Sequence, residues 1–201
     1  ADEISYETYL GLTEDDLRAQ PYRRYVASKD DKMDWQRTQL QLTHSVLVGE
    51  DFELRTSLYR HNFERTWRKL NKFKTKSFNE VLSNPEFAQN AIYLGVLRGE
   101  EEWTDPSMTL EMGSNHRVYY SQGVQTIAKL TFDMGPTNHN LEFGVRYHMD
   151  QVIRDQAAEG FMMFGGELVW DEQEPAPYTD NTDSAAALAV YIHDELAWEQ
   201  L

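Results

Sequence analysis

The sequence predicts an all-β fold, an antiparallel meander of about five long strands that forms part of a transmembrane β-barrel, with long extracellular loops and one short loop helix. The first observation is the alternation of apolar and polar residues with period two, which is typical of a strand with one apolar face. It extends over residues 117–155, in two runs that flank one short turn. At about 3.3 Å per residue, a run of about 16 residues reaches about 50 Å and can cross a bilayer obliquely.

The second observation is the composition. Hydrophobic residues make up 40% of the chain and the mean hydropathy is −0.67, which a membrane barrel tolerates because only alternate strand residues meet lipid. No stretch approaches the roughly 18 consecutive apolar residues that a membrane helix needs. The net charge of −15 excludes a nucleic-acid partner, whose phosphates require Lys and Arg. Because cysteine is absent, disulfides and Cys-based metal sites are excluded.

The first part of the chain combines an outer loop with a strand pair. Residues 1–35 are predicted to be an ordered loop, because tyrosine and leucine residues are spread among its acidic residues. Thr13 and Asp16 have the spacing of a helix N-cap. Strands are then predicted at residues 36–48 and 51–67, joined by a tight turn rich in glycine and acidic residues.

The central part contains a long polar connection and the longest strands. Residues 68–116 are predicted to be an outer loop that carries the one short helix, since Ser77 and Glu80 fit a capping box. Strands 117–134 and 139–155 then form the hairpin of the opening observation.

A third loop, residues 156–184, is predicted to contain a small hairpin around Gly165 and Gly166, and the last strand is predicted at residues 185–199. Short turns therefore alternate with long loops, as the periplasmic turns and extracellular loops of outer-membrane barrels do. An open sheet of five strands leaves two unpaired edges, which lipid does not tolerate. We therefore expect the whole stretch, residues 1–201, to be one segment of a larger barrel.

Four segments carry a resemblance to a known family. They are residues 7–12 (Glu-Thr-Tyr-Leu-Gly-Leu), 21–25 (Pro-Tyr-Arg-Arg-Tyr), 63–70 (Phe-Glu-Arg-Thr-Trp-Arg-Lys-Leu) and 191–195 (Tyr-Ile-His-Asp-Glu). In their order and spacing they resemble TonB-dependent outer-membrane receptors, in particular the ferric-dicitrate-like group. The resemblance covers essentially the whole chain, as the middle of such a barrel.

The resemblance implies a barrel of about 22 strands with a plugged lumen, in the outer membrane of a Gram-negative bacterium. Such receptors import ferric siderophores or ferric citrate, driven by a TonB complex that pulls on the plug. The implied partners are an Fe(III) chelate as substrate, outer-membrane lipid, and TonB through the plug domain. The sequence shows no plug domain, TonB box, signal peptide or aromatic strand at its end. We therefore expect this stretch to contribute ligand contacts to a receptor rather than to transport alone.

A carboxylate-bearing chelate would need cations and hydrogen-bond donors near the pore mouth, and Arg side chains suit carboxylates best. The predicted ligand-binding residues are Arg23 and Arg24 with their neighbours Tyr22 and Tyr25. The alternative is that the two arginines only stabilise the loop by pairing with nearby acidic residues, namely Asp15, Asp16 or Asp30.

Other polar residues are predicted to be structural. Charged residues on the polar strand face are expected to form a cross-strand ladder: Arg55, Lys129, Glu142, Arg146 and Asp150. The histidines do not have the spacing of metal ligands, so no metal site and no cofactor are predicted. No nucleophile elbow, zinc-protease helix or phosphate-binding glycine loop is present, so we do not expect an enzyme.

Two alternatives to a membrane receptor remain at the level of sequence. One is a soluble β protein that binds a ligand inside a small barrel. The other is a soluble interaction module that buries its apolar faces by forming a dimer or a larger oligomer. Both predict a protein that is monodisperse without detergent.

Overall fold

The computed structural model describes residues 1–198 and confirms an all-β antiparallel fold. Within these residues the strands, numbered in chain order, are β1 (Asp2–Ser5), β2 (Lys32–Val48), β3 (Phe52–Phe73), β4 (Leu110–Met134), β5 (Thr137–Phe164), β6 (Glu167–Trp170) and β7 (Ala176–Trp198). The helices are α1 (Glu14–Ala19), α2 (Phe78–Ser83) and α3 (Ala88–Arg98), with 3-10 turns at Val26–Ser28 and Pro106–Met108. None of the helices in the described range is long and apolar enough to span a membrane.

The sheet follows chain order from β1 to β6, and β7 also pairs with β5. The five predicted long strands correspond to β2, β3, β4, β5 and β7, and the structure adds the short strands β1 and β6. Strand β1 pairs with the start of β2, from Asp2 opposite Gln36 to Ser5 opposite Met33. Residue 199, the predicted last residue of the final strand, lies outside the described residues.

The predicted hairpin in the third loop is confirmed. Phe161 of β5 pairs with Trp170 of β6, and Phe164 pairs with Glu167. The two glycines between the strands, Gly165 and Gly166, have φ angles of 57° and 75°. A two-residue turn with positive φ at both positions matches the twist of a hairpin and is accessible to glycine without strain.

The chain divides into two compact units, and each long strand contributes to both. Unit 1 comprises Ala1–Gln36, Glu64–Arg117 and Arg154–Asn181, and unit 2 comprises Arg37–Phe63, Val118–Ile153 and the residues from Thr182 onward.

Unit 1 has a buried hydrophobic core, to which loops, helices and strand ends contribute. Its members are Leu10, Tyr25, Ala27, Leu70, Phe73, Val81, Tyr93, Leu94, Val96, Leu97, Leu110, Met112 and Met163. The ring of Phe73 packs edge-on against that of Tyr93, with 4.7 Å between the ring centres. This core explains why β3, β4 and β5 extend beyond the predicted strand ends: Leu70, Met112 and Met163 lie in these extensions and are buried.

Helix capping in unit 1 follows the predicted pattern, but there are more helices than predicted. The Thr13 side chain accepts a hydrogen bond from the Asp16 backbone N–H at the start of α1, and Ser77 caps α2 in the same way through Glu80. The one predicted loop helix corresponds to two helices, because Asn84 ends α2 before α3 begins. Gly99, in the left-handed conformation, then ends α3.

Unit 2 consists of strands and short turns. In its described part, residues 37–63, 118–153 and 182–198, no hydrophobic side chain is fully buried. We define the apolar face of unit 2 as the exposed apolar side chains that occupy alternate positions of its strands: Leu40, Leu42, Val46, Val48, Leu58, Leu130, Phe132, Met134, Phe143, Tyr147, Met149, Leu188, Val190, Ile192, Leu196 and Trp198. Leu47 and Tyr191 are also exposed, but at intervening positions. The opposite side of the same strands is the polar face.

Two glycines on the polar face of unit 2 lie beneath tyrosine rings. A Cβ atom added to Gly144 would lie 2.1 Å from Cε1 of Tyr191, and one added to Gly123 would lie 2.5 Å from the Tyr59 hydroxyl. Each tyrosine ring therefore lies against the backbone of its glycine, and the side chain of any larger residue at that position would clash with the ring. Such aromatic cover compensates for the missing glycine side chain within a sheet.

We expect Gly144→Ala to lower the free energy of unfolding by about 1–3 kcal/mol, because the new methyl group displaces the Tyr191 ring. Urea titrations monitored by tryptophan fluorescence would measure the change. In a chain that already carries Tyr191→Ala, the same substitution should cost far less, since the two residues are in contact. Gly11→Ala is the matched control, because an added Cβ there meets nothing within 4 Å. If Gly144→Ala lowered the free energy of unfolding equally with and without Tyr191, the contact between Gly144 and the Tyr191 ring would be contradicted.

Candidate functional site

The four predicted ligand-binding residues do not form one surface. Tyr22 is 97% exposed, whereas Tyr25 is 1% exposed and belongs to the core of unit 1. Arg23 donates from Nη1 to Oδ1 of Asp16 at 3.2 Å. Arg24 donates from Nη2 to the backbone carbonyl of Ser28. Only Tyr22 of the four presents its whole side chain to solvent, and a buried Tyr25 contributes to loop structure rather than to a ligand surface.

Asp16 is the centre of a buried polar cluster in unit 1. Its Oδ2 accepts hydrogen bonds from the Tyr25 hydroxyl at 2.6 Å and from Arg98 Nε and Nη2 at 3.0 and 2.8 Å. The Thr13 hydroxyl is a fourth donor to this oxygen, at 3.0 Å, and the Thr13 backbone N–H donates to the Tyr25 hydroxyl oxygen at 3.0 Å. With the bond from Arg23, the carboxylate ties α1, the 21–25 loop and the end of α3 together.

These contacts shift the protonation equilibria of the cluster. Burial alone would raise the pKa of Asp16, but hydrogen bonds from Tyr25, Arg98 and Thr13 outweigh it, so the pKa lies below its ordinary value. Burial and the hydrogen bond to Asp16 raise the pKa of the Tyr25 phenol. The cluster is therefore a carboxylate held ionised by a neutral phenol and by guanidinium groups.

Asp31 is a second buried carboxyl group in unit 1, with an exposed fraction of 0%. The Thr8 hydroxyl donates to its Oδ2 at 2.7 Å and the Leu70 backbone N–H to its Oδ1 at 2.8 Å. Burial raises the pKa of this carboxyl group, and these hydrogen bonds oppose the shift only in part. Asp31 joins the first loop to β3 and has no exposed atom for a ligand.

The polar face of unit 2 carries a second cluster. Arg146 Nε donates to the Tyr59 hydroxyl at 3.1 Å, and the same hydroxyl lies within hydrogen-bond distance of His148 Nδ1. His148 Nε2 lies 2.7 Å from Asp150 Oδ2. Side chains of β3 and β5, the two strands on either side of β4, are therefore linked into one hydrogen-bonded network.

A cavity of about 320 Å³ adjoins this network within unit 2. It is lined by Gln41, Arg55, Ser57, Tyr59, His61, Gln125, Ile127 and Arg146. Two guanidinium groups and no carboxylate line it, so it favours an anion with several hydrogen-bond acceptors. The sequence predicts a structural role for the two arginines and does not single out the other lining residues, although their alternation places most of them on the polar face.

One rung of the predicted charge ladder is present. Lys129 Nζ lies 3.1 Å from Glu142 Oε2 on the neighbouring strand. Arg55 instead pairs along its own strand, from Nη2 to Glu53 Oε1 at 2.7 Å. The reason is spacing: residues two apart on a strand lie on the same face and within reach of a long side chain. Within residues 1–198, no group of three or more His, Asp or Glu side chains could hold a metal ion.

The fold is that of part of a β-barrel wall, built from long antiparallel strands with one apolar and one polar face. A solved structure with this fold is the unliganded form of the ferric citrate transporter FecA, with a TM-score of 0.63 and 14% sequence identity. The similarity covers 94% of this chain and 22% of the FecA chain, so this chain spans about a fifth of that protein. No family model and no curated protein matches the sequence. At this identity the similarity shows the fold alone.

We expect Asp16→Asn to lower the free energy of unfolding by about 2–4 kcal/mol at neutral pH, since it removes the buried carboxylate that Arg98 and Arg23 both bind. A carboxyl group with a lowered folded-state pKa stabilises the fold above its unfolded-state pKa, and this stabilisation is lost as the pH falls through the folded-state value. Urea titrations between about pH 7 and about pH 3 should therefore show a smaller acid-induced loss in the variant.

Asp15→Asn provides the matched control, because Asp15 is exposed and pairs only with Arg18 at 3.8 Å. This variant should unfold within about 0.5 kcal/mol of the unsubstituted protein. An Asp16→Asn variant as stable as the control would contradict the structural role of the cluster.

Proposed function

We propose that residues 1–201 are a segment of the barrel wall of an outer-membrane receptor that actively transports a ferric chelate. The single observation that carries the proposal is the apolar face of unit 2. Leu40, Leu188 and Ile192 are 72%, 70% and 71% exposed, and the other members of the face are exposed beside them. An apolar surface that extends over every long strand exceeds what a soluble monomer exposes.

Lipid gives this surface a partner without requiring another protein. Apolar side chains on alternate strand positions meet the acyl chains, while the polar face lines a lumen. Within the described residues, β7 pairs only with β5, and β2 beyond Gln36 pairs only with β3. Backbone groups at such edges need hydrogen-bond partners in a membrane, so further strands of the receptor would pair with them. In this arrangement residues 1–35, 68–116 and 156–184 belong to the extracellular side.

The transported substrate is proposed from the chemistry of the polar face and from the fold. Arg55 and Arg146 at the cavity of unit 2 present guanidinium groups, which bind carboxylates in a forked geometry. A ferric citrate or another anionic siderophore complex fits this charge. FecA, which shares the fold, is a ferric citrate transporter. The receptor would couple to TonB through a plug domain outside this sequence, and no enzymatic activity is proposed.

The second candidate, a soluble module that buries its apolar faces by oligomerising, is favoured by one observation. The open edges of β2 and β7 could pair with another copy, as exposed strand edges do. In such an oligomer the sheets of two copies would also pack face to face, so that protein rather than lipid covers the apolar face. The two candidates therefore differ in what the side chains of β2 contact.

A cysteine scan of β2 distinguishes the candidates, because the chain contains no cysteine of its own. We expect spin labels at Leu40→Cys and Leu42→Cys, in protein reconstituted into vesicles, to be reached by oxygen, which concentrates in lipid. Labels at Gln39→Cys and Gln41→Cys should instead be reached by a water-soluble nickel chelate, because they lie on the polar face. Electron paramagnetic resonance saturation measures both accessibilities.

The neighbouring pairs serve as each other's controls, since they differ by one residue in position. A lipid-facing wall would be contradicted if all four labels were equally accessible to oxygen and equally accessible to the nickel chelate. A monodisperse oligomer that forms without detergent, with the apolar labels shielded from oxygen and nickel alike, would favour the soluble candidate.

The predicted ligand loop remains part of the proposal. We expect Tyr22→Ala to lower the uptake of radiolabelled ferric citrate by cells that express the receptor, because its exposed side chain has no role in the core. The double variant Arg23→Ala and Arg24→Ala should lower uptake further, by roughly tenfold if each arginine contributes a charge-assisted bond. Tyr6→Ala is the control, as Tyr6 is also exposed and lies outside the segment. Unchanged uptake in both test variants, at equal receptor levels, would remove the assignment.

A further inference from the structure

The apolar face of unit 2 contains a groove with a cation at one end. The groove has a volume of about 460 Å³, and its apolar walls are Leu40, Leu42, Leu58, Val124, Tyr147 and Met149. Arg60 and Gln122 also line the groove, and beyond Arg60 the same side of β3 carries the polar residues Asn62 and Glu64. An arginine beside an apolar groove is unusual unless the groove accommodates something with an anionic end.

Arg60 is held in place by uncharged neighbours. Its Nε donates to Asn62 Oδ1 at 2.9 Å and its Nη1 to Gln122 Oε1 at 3.1 Å. The guanidinium carbon lies 5.1 Å from the centre of the Tyr120 ring. Within residues 1–198 no carboxylate forms an ion pair with Arg60, and its Nη2 has no hydrogen-bond acceptor. The guanidinium is thus oriented by its neighbours but not neutralised.

A smaller polar cleft of about 180 Å³ shares Arg60, Gln122 and Met149 with the apolar groove. Its other lining residues are Tyr120, Asp150, Gln151 and Ser184. Gln151 Nε2 donates to Ser184 Oγ at 3.0 Å, while Asp150 is engaged by His148. The polar cleft therefore offers hydroxyl and amide groups around Arg60, together with one carboxylate that His148 already engages, next to an apolar surface.

We propose that the groove and the cleft together bind one membrane lipid with a phosphate headgroup, the phosphate on Arg60 and an acyl chain along the groove. A guanidinium group binds phosphate through two parallel hydrogen bonds, and Nη2 is available to contribute. The acyl chain distinguishes this ligand from free phosphate, because only a lipid fills both cavities. This site rests on the proposed function, since it requires the apolar face to meet lipid.

Native mass spectrometry of the protein in a neutral detergent tests the site, with phosphatidylglycerol as the anionic probe and a diacylglycerol of the same chains as the phosphate-free probe. We expect phosphatidylglycerol to remain bound after detergent removal in the gas phase and diacylglycerol to dissociate. Arg60→Gln should weaken phosphatidylglycerol binding by about tenfold, and Arg60→Lys should weaken it less because the charge is kept. Leu58→Ser should also weaken it, by removing one wall of the groove.

Arg37→Gln is the matched control, since Arg37 lies on β2 beside Gln39 rather than at the groove, and it should bind phosphatidylglycerol normally. Circular dichroism would confirm that all variants keep their strands. Equal binding by Arg60→Gln and the control would overturn the site, and so would displacement of phosphatidylglycerol by millimolar inorganic phosphate. The cysteine scan distinguishes a wrong lipid site from a wrong proposed function. If the labels on β2 are exposed to lipid but Arg60→Gln binds phosphatidylglycerol normally, only the lipid site is excluded.

Discussion

The structure depends on one constraint: five long strands must stay paired through backbone hydrogen bonds although each contributes side chains to two different units. Along β3, Leu58 is exposed on the apolar face of unit 2, whereas Phe73 is fully buried in the core of unit 1. The backbone hydrogen bonds of a sheet do not depend on what covers its faces, so one strand can serve both. Only the surroundings of the side chains change along the strand, from the exposed apolar face of unit 2 to the buried core of unit 1. The boundary between the two units lies where this change occurs.

The period-two pattern made much of this arrangement predictable. Alternation identified all five long strands, and capping residues such as Thr13 and Ser77 identified two helix starts. The glycine pair at 165 and 166 identified a hairpin, since few other residues accept its backbone angles. These features are local, because each is encoded by residues within a few positions of one another. The strand ends were less accurate, because residues such as Leu70 extend β3 by packing on distant parts of unit 1.

The polar clusters could be predicted only in part. The pairing of Arg23 with Asp16, seven positions apart, is one of the alternatives that the sequence offers for this arginine. Each cluster also joins residues that are far apart in sequence, and these contacts have no local signal. Arg98 lies 82 positions from Asp16, and nothing local indicates that the two meet. The segment that contains Tyr25 is predicted to bind a ligand, whereas the Tyr25 phenol is buried in unit 1 and donates a hydrogen bond to Asp16. A buried carboxylate needs several donors at once, and the fold recruits them from wherever the chain passes. The sequence alone therefore does not show which arginine and tyrosine side chains of a loop form such structural contacts.

The same reasoning distinguishes the arginines of unit 2 by their surroundings rather than by their sequence context. Arg146 is on the polar face and shares its donors with Tyr59 and His148, so an incoming anion would compete with an existing network. Arg60 borders an apolar groove, where a charge is costly without a counter-ion and where water screens it less. A membrane lipid brings both the anion and the apolar surface to that position. Arg60 on β3 and Arg146 on β5 can therefore recognise different ligands, because alternation places them on opposite faces of one sheet.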